Sequence, residues 1–326
     1  MEEDYLICTE IDDEDTQNES NNSGQKAVFI KKFIWEQNTT ITIGFFDDGA
    51  GIDKKDSTGL KDIDPLEHEI SNLTPKKAVQ KVVQERIQPL VNLNLQFIDV
   101  VSDAIIRISF VKGKGSWSTN GNNALKLGKD KATMNFGWLD VRTILHEFGH
   151  VLGMEHEHQG PYSNIQWNSS AVYKFYQSAL QWDTARVDNQ IIKKRNYLDV
   201  IGSEFDPLSI MLYFFDSRLT TNNLGTPENH RLSGYDVVWI AKTYPVTNGI
   251  SPADFYFKTY GISLADSLAE SDKLAEKYPK AWTWWQILLI IILWFLILAG
   301  IIFLIEKFHQ NKKPSYHRVN YHDKYL

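Results

Sequence analysis

Cysteine is nearly absent from this chain. Cys8 is the single one in 326 residues, so no disulfide can form within it, and stability has to come from a packed core. A basic field is missing as well. The formal charge is −7, yet residues 1–25 carry nine acids and no Lys or Arg, so the remainder sits near +2. That balance lacks the electrostatic footprint of a nucleic-acid binder, and no nucleic-acid partner is expected. The N-terminus has no basic stretch leading into an apolar one, so a secretory signal peptide is not expected there. Internal repeats are absent. Long apolar runs are absent too, with one exception near the C-terminus.

That exception is Ile287–Ile305, 19 residues without a charge or strongly polar group, preceded by Trp282, Trp284 and Trp285. At about 1.5 Å per residue such a helix spans a ~30 Å hydrocarbon core, and the tryptophans suit an interfacial belt. Residues 282–305 therefore read as one transmembrane helix in contact with membrane lipid, and 306–326 as a basic tail. At the other end, residues 1–25 are acidic and Asn/Ser-rich and read as a disordered tail.

Between these ends strand and helix patterns alternate, which argues for an α/β or α+β domain. Thr40–Phe46, Leu95–Val101, Ala104–Phe110 and Ala132–Trp138 read as strands, and Gly113–Gly128 as a loop. Thr74–Val91 has a helical period that Pro89 kinks or ends early. Val141–Leu152 has one apolar helical face made by Val141, Ile144, Leu145, Phe148, Val151 and Leu152. Residues 160–205 are mixed and polar. Leu232–Tyr244 reads as the last helix of the domain, and Ser263–Lys277 as a helix within a stalk over residues 246–281.

The chemistry is concentrated around the helical pattern at Val141–Leu152. His146 and His150 lie four apart on the predicted helix, so both imidazoles leave the same face, as metal ligation requires. A third ligand would leave one of four tetrahedral zinc positions open, as in catalytic sites. A continuing helix would turn His156 away. Gly153 can take the left-handed conformation that ends the helix and brings His156 back. His158 competes with His156 for that place. Glu147, beside the first ligand, suits a general base acting on water at the open position. A structural zinc site, usually closed by four protein ligands, fits this set less well.

This run, His-Glu-x-x-His-x-x-Gly-x-x-His, resembles the metzincin zinc metalloproteases. Ser209-Ile210-Met211-Leu212-Tyr213 resembles their Met-turn, and the Ser-x-Met-x-Tyr form, with Glu157 after the third His, is similar to the astacin branch. Arg107–Phe110, Gly115–Ser118, Ala132–Trp138 and Leu232–Ser233 with Asp236, Ile240 and Tyr244 extend the likeness over about residues 26–245. The resemblance implies an α+β metzincin-type catalytic domain with a twisted mixed sheet, a zinc helix and a C-terminal subdomain. It implies one catalytic Zn2+ on His146, His150 and His156, with Gly153 and Met211 as structural support. It makes Tyr213 a switchable ligand that stabilises the tetrahedral intermediate. It also implies that Thr133–Phe136 is the sheet-edge strand on which an extended polypeptide substrate lies. Leu212 stands where the family usually has His, and His158-Gln159-Gly160-Pro161 lacks the family's basic residues.

The expected activity is that of a membrane-anchored zinc endopeptidase. The alternative is a non-catalytic membrane adhesion or envelope protein that keeps the fold, which leaves Glu147 without a purpose. The side of the membrane stays open. Lys307, Lys312, Lys313, Arg318 and Lys324 favour a cytoplasmic tail and an outside protease, whereas the single cysteine and the N-terminus favour a cytosolic one.

Overall fold

The computed structural model describes residues 8–10, 27–47, 52–55, 60, 62–202, 204–279 and 284–310. Two compact units result, Met1–Pro279 and Lys280–Leu326.

The first unit is built on a six-stranded sheet. Its strands are β1 (Cys8–Glu10), β3 (Thr40–Phe45), β4 (Asn94–Phe97), β5 (Ile106–Ser109), β6 (Ser116–Ser118) and β7 (Met134–Asn135), in the spatial order β1-β6-β7-β5-β3-β4. All neighbours are parallel except β6 and β7. A two-stranded sheet pairs β2 (Phe29–Ile30) with β8 (Val200–Ile201). Parallel neighbours β3 and β4 need a crossover, supplied by α1 (Leu66–Ile70) and α2 (Pro75–Val82). Past Val82 the helix loosens into a π turn over Val83–Ile87 and a 3-10 turn at Gln88–Leu90, where Pro89 lies, as the kink at that proline predicted.

The helix that carries His146 and His150 is α3 (Val141–Val151). Its apolar face packs Ile144, Leu145, Phe148, Val151 and Leu152 against Ile41, Ile43, Ile106, Ile108 and Val82 in one core cluster. Both ends of α3 are secured. Asp140 Oδ1 accepts from Thr143 N at 2.6 Å and Glu67 Oε2 from Val141 N at 2.8 Å. At the other end, the indole of Trp35 donates to Val151 O and the hydroxyl of Tyr244 to Leu152 O, each at 2.7 Å.

After α3 come α4 (Ser169–Leu180) and α5 (Thr184–Val187), helices within the polar stretch that has no periodic reading. They bury Val172, Tyr176 and Val187 in a second, largely aromatic cluster that also holds Leu212, Tyr213 and Phe215. Next are α6 (Gly234–Thr243), α7 (Pro252–Tyr260) and α8 (Leu264–Ala275).

Three expectations need revision. The segment 246–281 is more than a stalk, since α7 and α8 belong to the first unit. Phe255 and Tyr256 join the main core, Tyr260 donates to Asp64 of the buried Asp64–Arg86 pair, and Tyr278 donates to Gly225 O. Within the acidic tail, Cys8–Glu10 forms a strand; the other residues of 1–25 lie outside the described ones. The sheet edge differs as well. β7 is interior, between β5 and β6, so Thr133–Phe136 cannot offer free backbone groups, and the strand nearer the edge is β6. That strand lies inside Gly113–Gly128, where three strand residues among Gly, Ser and Asn give no alternation to detect.

The second unit contains α9 (Trp284–Gln310), whose apolar window Leu288–Ile305 has no buried residue. It is a candidate membrane span. Most of the basic tail, residues 311–326, lies outside the described residues.

Candidate metal centre

His146 and His150 project from α3 one turn apart. The helix ends at Leu152, and Gly153 has φ +84°, with Gly153 N bonded to His150 O and Met154 N to Gly149 O. A Cβ on Gly153 would meet Phe33 O at 3.3 Å in a conformation already strained for other residues. The reversed chain is strapped by β2 and the residues before it, with Ile30 N on Gly153 O and Glu155 N on Val28 O. This turn carries His156 to the other two histidines. Their nearest donor atoms lie within 4.8 Å of one another and all three residues are buried.

The tautomers follow from the partners. His146 Nδ1 lies 2.9 Å from Ile210 O and His150 Nδ1 lies 2.9 Å from Met154 O. A carbonyl only accepts, so each Nδ1 carries the proton and each Nε2 is a bare lone pair. His156 Nδ1 faces Gln159 Oε1 at 3.3 Å, with the same consequence. His146 Nε2 is buried with no hydrogen-bond partner. The Nε2 atoms of His150 and His156 are 3.2 Å apart. Two lone pairs repel at that distance unless a cation lies between them. Zinc–nitrogen bonds of ~2.05 Å at a tetrahedral angle would separate their nitrogens by about 3.3 Å. The donor set therefore fits zinc. Burial, then the neighbouring histidines, holds His146 and His156 well below the ordinary 6.5, which keeps them in the neutral form that ligates.

His158 does not join the three. Its Nε2 is 3.1 Å from Gln190 O, and its ring stacks on His156 at 5.2 Å. Burial pushes it down to about 3, so it is a neutral wall.

Met211 lies wholly buried under the helix. Its sulfur sits so close to Gly149 that a Cβ there would collide with it. Gly149 is thus a site residue that the motif, which leaves the position open, did not reveal. Asp236 shapes the turn: its carboxylate accepts from Ser209 Oγ and Ile210 N at 2.8 Å and from Ser233 N at 2.9 Å. Ile210 O in turn receives His146. Tyr213 packs 4.4 Å from His156 and 5.7 Å from His146, ring to ring, and Glu147 is wholly buried beside His146. Sequence reasoning also passed over Glu155 and Gln159, which contact His156, and Arg195, which pairs with Glu155.

Three converging imidazoles on a helix–turn, a carboxylate next to the first and a methionine turn beneath them define a zinc metallopeptidase. The model of the peptidase family Astacin matches residues 94–229. A structure of myroilysin is 30% identical over 68% of this chain and 99% of that one, with a TM-score of 0.56. The chain belongs to the astacin family and is a zinc metalloendopeptidase. High choriolytic enzyme 1, a hatching-enzyme zinc-protease from Oryzias latipes (Medaka fish), aligns at 14% identity over 69% of this chain and 97% of that one, with a TM-score of 0.40. No curated protein matches.

Proposed function

We propose that the protein is a membrane-anchored endopeptidase in which Glu147 is the general base, Tyr213 supports the transition state and β6 receives the substrate. The observation that carries the reading is the meeting of three Nε2 lone pairs beside the buried Glu147. Zinc held by His146, His150 and His156 would polarise the scissile carbonyl and acidify water. Glu147 takes the proton from that water and delivers it to the leaving amine. Its burial keeps the proton on this path and out of bulk solvent. Tyr213 donates its hydroxyl to the oxygen on which charge develops.

Substrate binding follows from strand geometry. An extended peptide pairs with an edge strand through backbone groups alone, which suits cleavage within flexible segments. The outer side of β6 is taken in this structure by β1, in parallel register from Cys8–Ser116 to Glu10–Ser118. Substrate and β1 therefore compete for the same groups, and deleting residues 1–26 should lower KM for an extended peptide more than it changes kcat.

Anchoring rests on α9, whose apolar window of 18 residues, about 27 Å long, leaves all its surface outward. The chain from Pro279 to Trp284 is short, so substrates in or near the same membrane are favoured.

The test is Glu147→Gln in the full chain. It should keep stoichiometric zinc while peptide cleavage falls by about two to four orders of magnitude. Wild-type cleavage by this variant would end the proposed mechanism. Tyr213→Phe should lose about 100-fold. Products trimmed only from peptide ends would overturn the endopeptidase reading, and recovery of the chain in a carbonate-washed soluble fraction would overturn the anchor.

A further inference from the structure

Two of the three ligands are oriented by backbone carbonyls. The third is not. His156 has φ −57° and ψ 128°, outside any helix, and its Nδ1 meets a side chain, the Oε1 of Gln159, at 3.3 Å. The orientation of that amide is settled by its other end. Gln159 Nε2 donates to Asn189 O at 2.7 Å and to Lys193 O at 3.0 Å, so both amide protons are used and the oxygen is left to face His156.

A second support lies near the same ring nitrogen. Glu155 has no exposed surface. Its Oε1 accepts the backbone N–H of His156 at 2.8 Å and lies 3.7 Å from His156 Nδ1, while its Oε2 is 2.5 Å from Arg195 Nε. A buried carboxylate without a cation would be costly, and Arg195 is the cation. The Arg195 backbone N–H donates to Gln159 O at 2.8 Å, joining the two supports. The outer partners of both supports, Asn189 O, Lys193 O and Arg195, come from the single segment 189–195, which also gives Gln190 O to His158.

We infer that residues 189–195 form a clamp on the third ligand, with Gln159 and the Glu155–Arg195 pair as positioning residues that set zinc affinity through His156. This rests on His146, His150 and His156 being the zinc ligands. Outer partners of metal-bound histidines fix the tautomer and the ring orientation, and their loss typically weakens metal binding 10- to 100-fold. Arg195 reaches the loop from about 40 residues downstream of Glu155.

The experiment uses the full-length protein in detergent. Zn2+ affinity is measured by competition with a chromophoric chelator, and ligand geometry by the visible spectrum of the Co2+ form. Wild type should bind one Zn2+, and His146→Ala should not; if wild type binds none, the ligand reading itself fails. Given wild-type binding, Gln159→Leu should weaken Zn2+ about 10- to 100-fold and alter the Co2+ bands, with metal-free stability little changed. Arg195→Met should weaken Zn2+ similarly and Arg195→Lys should recover most of it, whereas wild-type affinity in Arg195→Met would remove the Glu155–Arg195 pair from the clamp. Wild-type Zn2+ affinity and Co2+ spectrum in Gln159→Leu would overturn the clamp, whatever the Arg195 variants do. An equal loss of Zn2+ affinity and of metal-free stability in Gln159→Leu, with no spectral change, would also overturn it.

Discussion

The half of the catalytic unit around the sheet and the half around the Met-turn are held by different forces. In the first, α3 lies on the sheet through Ile144, Leu145 and Phe148, all fully buried, and its ligands inherit their geometry from the helix. In the second, the turn and the loop after Gly153 are held by buried polar groups: Asp206, Asp236, Glu157, Ser209, Ser233 and Asn229. Asp206 accepts from Ser233 Oγ and from Ser271 Oγ of α8, Asp236 accepts from the turn, and Glu157 Oε1 accepts from Asp206 N. Apolar contact tolerates small shifts, whereas a buried carboxylate must have its donors in place. The second half is therefore where single substitutions should do most damage to the site.

The largest stability loss that would sharpen this contrast is expected from Asp236→Ala. It strands three donors, on Ser209, Ile210 and Ser233, at about 1–3 kcal/mol each before relaxation, so roughly 3 kcal/mol or more in urea denaturation. A loss no larger than that of an Ile144→Val change in the apolar half would break the comparison; such a change costs about 0.5–1.5 kcal/mol. Next is Gly149→Ala, which drives a Cβ into Met211 and should cost about 1–3 kcal/mol, with weaker zinc retention. Smaller again is Ser271→Ala, at about 1 kcal/mol, since Asp206 keeps Ser233. An unchanged midpoint there would separate α8 from the site.

Acid should act on the same network through its protons. Asp236 is pushed up to about 7 from an ordinary 3.8, first by burial and then by the nearby Asp206. The folded state therefore holds a proton that the unfolded chain releases near pH 4. The stability this confers is complete below pH 4 and is lost as pH rises toward 7. Asp236→Asn should flatten the decline across that window, as followed by denaturation at fixed pH steps. A slope equal to wild type would mean that another group carries it.

Much of the first half was legible because its forces are local or periodic. The face of α3, the strand at Thr40–Phe45 and the turn at Gly153 all follow from spacing and backbone preference. The same holds for α9, whose run of apolar residues needs no partner to be seen. In contrast, α4 was hidden because only Val172 and Tyr176 of its residues are buried, too few to set a period. α7 was hidden because Phe255 and Tyr256 are adjacent in sequence and both buried, without an i, i+4 stripe to mark them.

What the sequence determined by itself is the set of three histidines that could hold a metal, the carboxylate beside the first of them and the presence of a membrane-length apolar helix, since each depends on spacing within a short stretch. Only the tertiary structure decided which strand borders the edge, that β1 covers it, that α7 and α8 belong to the catalytic unit, and that Arg195 and Gln159 hold the third histidine. Those facts join residues about 30 to more than 100 positions apart, or set an order among strands of similar composition, and in each case the interaction exists only after packing has brought the partners within hydrogen-bonding distance.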